Sequence, residues 1–163
     1  MSHKNFVRST AKGKAIAMSR KNHFTIKQAV RFRDLDAMGH VNNSTYFIYM
    51  EEARKEFFSH LLNCISPEDF PFVLAGISCN FSKPVKLEDK VLAVDLWITH
   101  LGRKSFTFNY EIYRPEEPSW VFATGESVQV FYDYQHNKSI EIPPDFKIKV
   151  QRYSDVQLDS CSC

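Results

Sequence analysis

Between Asn42 and Leu61 one apolar set, Tyr46, Met50, Ala53, Phe57 and Leu61, recurs at helical spacing, while Glu51, Lys55 and neighbouring charges face away. No glycine or proline interrupts the run, and Asn42 or Asn43 stands where an N-cap belongs. This is the one long helical pattern in the sequence, and most of what surrounds it alternates with a period of two. His23 to Arg33 predicts a first strand, with Ile26, Val30 and Phe32 on its buried face and Arg31 and Arg33 on the other. Phe72 to Val85 predicts a second that ends near Pro84. Leu92, Val94, Leu96 and Ile98 alternate, Leu101 to Lys104 reads as a hairpin turn, and Phe106, Phe108, Tyr110 and Ile112 alternate on the way back. After a turn at Pro115 to Pro118, Trp120 to Tyr134 predicts a long last strand, with Gly125 a bulge or a close approach. One helix against one antiparallel sheet is an α+β arrangement in which the sheet wraps the helix. Such a layer leaves sheet edges exposed, so pairing with further copies, as a homodimer or homotetramer, is expected.

The 163 residues suit one domain, and the 14 phenylalanines suit a sheet-rich apolar interior. We divide the chain into a basic arm over 1–22, one domain over 23–153 and a short polar tail over 154–163. No acidic residue precedes Asp34, whereas Lys4, Arg8, Lys12, Lys14, Arg20, Lys21, Lys27, Arg31 and Arg33 all do. Such an arm can hold nucleic acid or another anionic partner; a solvated leader is the simpler reading, and no nucleic-acid role is expected. No apolar run approaches the roughly 20 residues that a membrane helix needs. Cys64, Cys79, Cys161 and Cys163 fit neither a zinc site nor a disulfide framework, which favours a reducing cytoplasm. The terminal Cys-Ser-Cys is similar to doubly prenylated tails, but exposed thiols account for it more simply.

The segment from Asp34 to Asn43, Asp-Leu-Asp-Ala-Met-Gly-His-Val-Asn-Asn, sets two carboxylates and an imidazole just ahead of a helix start. Unpaired backbone N–H groups and the positive dipole end there suit a developing oxyanion. Gly39 lets the backbone pass close to a bound group. Asp and Asn are also ordinary turn and capping residues, and on local chemistry alone capping is the better account.

Asp34 to Arg54 resembles the active-site segment of hotdog-fold acyl thioesterases: the 4-hydroxybenzoyl-CoA thioesterase family, its long-chain acyl-CoA relatives and the plant acyl-carrier-protein enzymes. The resemblance runs over about 23–135 and takes in the Gly102-Arg103-Lys104-Ser105-Phe106 hairpin. It implies Asp36 as nucleophile or as general base toward water, His40 beside it, and an Asn43 backbone N–H on the thioester carbonyl. It also places Asn42 and Tyr46 at the substrate side, the tyrosine in a structural role; Arg103 and Lys104, with Ser105, could meet coenzyme A phosphates, exposed turn charges being the alternative. Met38 stands where the plant-type enzymes carry a further catalytic asparagine, which moves the weight onto Asp36. A thiol of pKa about 8.5 leaves without a strong general acid, so a sparse site suffices. The implied function is hydrolysis of acyl-CoA or acyl carrier protein thioesters, with coenzyme A only as part of the substrate. No metal or dinucleotide is expected, since the sequence has no Gly-x-Ser-x-Gly elbow, His-Glu-x-x-His, Walker or Gly-x-Gly-x-x-Gly motif. A non-catalytic acyl-CoA-binding module of the same fold is the rival reading.

Overall fold

The computed structural model describes residues 22–62 and 70–154. The basic arm through residue 21, Cys64, the tail from residue 155 and its two cysteines lie outside the described residues. The elements run β1 (Phe24–Ala29), α1 (Asn43–Leu62), β2 (Phe72–Phe81), β3 (Val91–Leu101), β4 (Ser105–Arg114), β5 (Glu117–Asp133), β6 (Lys138–Ser139) and α2 (Pro144–Val150), with short 3-10 turns at Phe32–Asp34 and Leu87–Asp89. The sheet is antiparallel in the order β1-β3-β4-β5-β2, and β6 adds to β5. β3 and β4 pair Leu101 with Phe106, so their connection is the expected tight hairpin.

α1 supplies the core with Tyr46, Tyr49, Met50, Ala53, Phe57, Phe58 and Leu61, all buried. The sheet answers with Leu92, Val94, Leu96 and Ile98 of β3, with Phe106, Phe108, Tyr110 and Ile112 of β4, and with Phe131 of β5. Phe57 and Phe58 meet Phe108 edge-on at 5.2 and 5.7 Å between ring centroids, and Phe106 meets Phe108 at 5.3 Å. The phenylalanines therefore fill the interior. Truncating such a ring to alanine costs about 3–5 kcal/mol. Gly125 is the close approach that its position in a strand suggests: a Cβ there would collide with Met50 Cε and lie 2.9 Å from Ser78 O.

Three features depart from the sequence reading. β1 stops at Ala29, and Phe32, expected on the buried face, is 80 % exposed. The cause is local: the Arg31 N–H donates to Asp34 Oδ2 at 2.8 Å, which turns the chain before the strand pattern can continue. β3 is buried on both faces over Leu92–Ile98, not one. On its second face Asp95 accepts from Thr25 Oγ1 at 2.6 Å and Tyr113 OH at 3.1 Å, and His23 stacks on Trp97 at 4.1 Å. Finally, α2 has no counterpart among the expected elements. It enters through Pro143 and Pro144 and buries Phe146 and Val150, which are one turn apart.

Candidate active site

Leu35 bridges Val41, and the residues between them close a small loop: the Asp36 N–H donates to His40 O at 2.8 Å, and the Gly39 N–H to Asp36 O at 3.0 Å. Gly39 takes φ +76°, the left-handed region that glycine enters without strain. The loop is pinned from outside. The Val41 N–H donates to Val85 O at 2.8 Å, His40 bridges Lys86, and the Asn42 N–H donates to Asp34 O at 2.8 Å. The Asp34 carboxylate is absorbed by structure, since Oδ2 accepts from both the Arg31 N–H and the Tyr49 OH, the latter at 2.9 Å. Burial, reinforced by that carboxylate, holds the Tyr49 phenol far above its ordinary pKa, so it remains a hydrogen donor.

Asp36 differs from Asp34. Its Oδ1 accepts from the Met38 N–H at 2.8 Å and the His40 N–H at 3.2 Å, which fixes the carboxylate on its own loop. Its Oδ2 has no hydrogen-bond partner among the described residues. One oxygen thus organises the loop and the other is left available. Among the described residues the His40 imidazole likewise forms no hydrogen bond; the loop is held by the backbone of that residue.

α1 begins immediately beyond. Asn42 is its N-cap: its Oδ1 accepts from the Ser44 N–H at 2.9 Å and from Ser44 Oγ at 2.7 Å, and its carbonyl takes the Thr45 N–H at 2.9 Å. These contacts satisfy the second and third N–H groups of the helix. The Asn43 N–H, the first, has no acceptor among the described residues, so the positive end of α1 is concentrated on a single unpaired donor.

Asp36, Met38, His40, Val41, Asn43 and Tyr46 form one wall of a pocket of about 240 Å³, and Phe81, Ser82, Lys83 and Pro84 at the end of β2 form the other. Tyr46 is held rather than free: its phenol oxygen accepts the Val85 N–H at 3.3 Å, its ring meets Phe81 edge-on at 5.0 Å, and burial raises its pKa. Lys83 lies over the Trp120 ring at 4.4 Å. The β2 wall is far from the motif in sequence; Pro84 marks it as a strand end, and the Val41–Val85 bond and the His40–Lys86 bridge bring it to the loop.

The structure therefore gathers Asp36, His40, Asn43 and Tyr46 around one opening. Asn42 stands beside them with its carboxamide oxygen spent on the cap. Arg103, Lys104 and Ser105 are not with them. They sit at the β3–β4 turn, whereas the pocket adjoins Val85 and Lys86 just before β3, so the 11-residue length of β3 separates the two, roughly 35 Å of extended chain. Arg103 faces Glu141 at 3.6 Å, and Lys104 Nζ donates to Ser139 O at 3.1 Å.

A carboxylate oxygen and an unpaired helix-start N–H on one small pocket can activate water and polarise a carbonyl together. Comparison with known proteins identifies the family. A protein of Aquifex aeolicus (strain VF5) is 33 % identical over 103 residues, 57 % of this chain and 74 % of that one. The solved structure of a 1,4-dihydroxy-2-naphthoyl-CoA thioesterase from Synechocystis is similar at 26 % identity and a TM-score of 0.67, over 78 % of this chain and 95 % of that chain. A thioesterase from Thermus thermophilus, complexed with coenzyme A and zinc, is similar at 28 % identity and a TM-score of 0.67, over 78 % of this chain and 96 % of that chain. The family model of the thioesterase-like superfamily matches residues 30–150, a span that contains the whole pocket. This chain belongs to that superfamily and is a hotdog-type thioesterase.

Proposed function

We propose that the protein hydrolyses acyl-CoA thioesters, with Asp36 as the catalytic carboxylate. The observation that carries this reading is the division of labour at Asp36: Oδ1 is fixed by two backbone N–H groups while Oδ2 is unpartnered among the described residues, on the pocket that Asn43 also lines. Oδ2 takes a proton from water as its oxygen attacks the carbonyl carbon, and the Asn43 N–H receives the developing oxyanion. The C–S bond then breaks, the thiolate leaves, and the proton held by Asp36 returns to it or to solvent. Direct attack by Oδ2, through an anhydride that water opens, uses the same two groups and yields the same acid and thiol. His40, with its imidazole free of described partners, is suited to a hydrogen bond to the substrate on that wall.

Coenzyme A is favoured over acyl carrier protein as the carrier because the similar solved proteins include a naphthoyl-CoA thioesterase and a thioesterase complexed with coenzyme A. A second copy of the chain belongs to this reading. Among the described residues β2 is a sheet edge whose outer side has no strand, and it exposes Leu74 at 49 % and Phe81 at 44 %, the latter on the pocket wall. Arg103 and Lys104 reach a coenzyme A tail at this pocket only from such a second copy. Among the described residues no helix is long and apolar enough to cross a membrane.

The test is thiol release from short, medium, long and aromatic acyl-CoAs. Turnover of at least one is expected. Saturable binding across the panel with no thiol released instead identifies a non-catalytic acyl-CoA-binding module.

A further inference from the structure

The phenylalanine-rich core holds one polar cluster that hydrolysis at Asp36 does not use. Arg54 of α1 donates from Nη1 to Tyr110 OH of β4 at 3.1 Å, the Tyr110 and Ser127 hydroxyls lie 2.6 Å apart, and Gln129 Nε2 donates to Ser127 Oγ at 2.8 Å. Tyr110, Ser127 and Gln129 are each 1 % exposed, yet Gln129 Oε1 has no hydrogen-bond partner among the described residues. Arg54 faces no carboxylate among them either. The two hydroxyls share one hydrogen, and the second has no acceptor. Turning the Gln129 amide over would use that hydrogen on Oε1 and leave Nε2 alone instead, so one amide atom stays unmatched either way. Buried polar groups are almost always matched, and this cluster is one group short. A hydroxyl supplies it: it both donates and accepts, so it meets Gln129 in either orientation, whereas a carboxylate only accepts.

The cluster lies at the end of a seam that begins in the Asp36 pocket. Tyr46 and Phe81 line that pocket and meet edge-on. Tyr46, Met50 and Arg54 then follow one another at a turn's spacing along α1, while Phe81, Cys79 and Ile77 share one face of β2 and pair with Ala123, Gly125 and Ser127. From Tyr46 to Arg54 the helix rises roughly 12 Å. From Phe81 to Ile77 the strand advances roughly 13 Å, so both walls put the cluster at one depth. Midway, Met50 lies against Gly125, a flexible thioether facing a strand position without a side chain. Arg54, Ile77 and Cys79 are only half-buried, on the flank where β2 has no further strand beside it among the described residues. We propose that the acyl group of the substrate runs along this seam from Asp36 and ends in a hydroxyl that the Arg54–Tyr110–Ser127–Gln129 cluster binds. The inference rests on the acyl-CoA reading and names its substrate class, an ω-hydroxyacyl-CoA.

The experiment measures kcat/KM for acyl-CoAs from octanoyl to hexadecanoyl, each as the plain chain and as its ω-hydroxy and ω-carboxy derivatives. The full chain is assayed as wild type, Gln129→Met, Ser127→Ala and Arg54→Met. Wild type is expected to favour the ω-hydroxy form over the plain one by at least about tenfold at one or more lengths, because a site built to bond a hydroxyl rejects the analogue that lacks it. Gln129→Met should bring that ratio toward one. A merely structural role would depress both substrates together and leave the ratio standing. No preference in wild type, a stronger preference for the ω-carboxy form, or an unchanged ratio in Gln129→Met overturns the proposal. Should Gln129→Met not fold, the ratio in Ser127→Ala decides in the same way. A changed oligomeric state of Arg54→Met with the ratio kept would make Arg54 a contact between copies, which also overturns it. If wild type cleaves no thioester of the panel, the hydrolase reading fails by itself. Calorimetric titration with the free ω-hydroxy and plain fatty acids then decides the cluster: a Kd about tenfold tighter for the hydroxy acid, lost in Gln129→Met, supports it, and equal Kd values overturn it.

Discussion

Replacing Gly125 with alanine tests how α1 is seated on the sheet. The added Cβ would strike Met50 Cε and come to 2.9 Å from both Met50 Sδ and Ser78 O, against ordinary contacts of about 3.5–4.0 Å. Met50 has rotatable bonds to spare but is fully buried, and Ser78 O belongs to the backbone of β2, whose Cys79 is paired with Gly125 itself. Relief therefore moves either the helix or the strand, at a cost of about 1–3 kcal/mol. Loss of glycine freedom in the unfolded chain returns about 0.4–1 kcal/mol. The net expectation is a destabilisation of about 1–2 kcal/mol, seen as a lower urea midpoint at unchanged slope, or a Tm lowered by roughly 2–8 °C. Gly76→Ala is the control, because a Cβ there meets nothing within 4 Å and its midpoint should hold or rise slightly. Both are measured at one protein concentration. Equal midpoints for the two variants would refute the steric account.

Asn42→Ala removes the side-chain cap from the Ser44 N–H and should cost about 1 kcal/mol in a thermal melt, with a fall in kcat as the helix start loosens beside Asp36. Tyr49→Phe deletes the donor to Asp34 and should cost about 1.5–3 kcal/mol by urea titration. Burial pushes the Cys79 thiol up to about 11. An unfolded thiol ionises near 9, so folding must keep a proton that the unfolded chain has lost, and the contribution of Cys79 to stability falls as pH rises from about 9 to 11. Its alkylation by iodoacetamide should accordingly be slow at about pH 8 and accelerate toward about pH 11; a rate at the lower pH equal to that of a free thiol would contradict this.

Much of this architecture can be read from local pattern. The stripe from Tyr46 to Leu61, the cap at Asn42 and the Leu101–Lys104 turn are each set by residues within a few positions, and each is where its pattern places it. Phe32 fails that test because the Arg31 N–H turns the chain onto the Asp34 carboxylate three residues on, a bond that alternation does not register. α2 escapes a reading by long periodicity although its signals are present, in paired prolines before Phe146 and Val150 at one-turn spacing. At the site, the motif names the loop and the helix start but not the Phe81–Pro84 wall, which long-range bonds of Val41 and His40 to Val85 and Lys86 bring in. Local chemistry does not distinguish the two aspartates, although the resemblance points to Asp36. Asp34 and Asp36 are the same side chain, and the structure shows Asp34 already occupied by the Arg31 N–H and the Tyr49 hydroxyl.

The most direct measurement is thiol release by Asp36→Asn on the best acyl-CoA substrate. Asparagine keeps the Oδ1 acceptor that the Met38 and His40 N–H groups require, so the loop should persist while the free carboxylate oxygen is lost. A fall in kcat of at least about 100-fold, with an unchanged melt, is the predicted result. A variant that cleaves within a few fold of wild type would mean that the attacking oxygen is activated elsewhere.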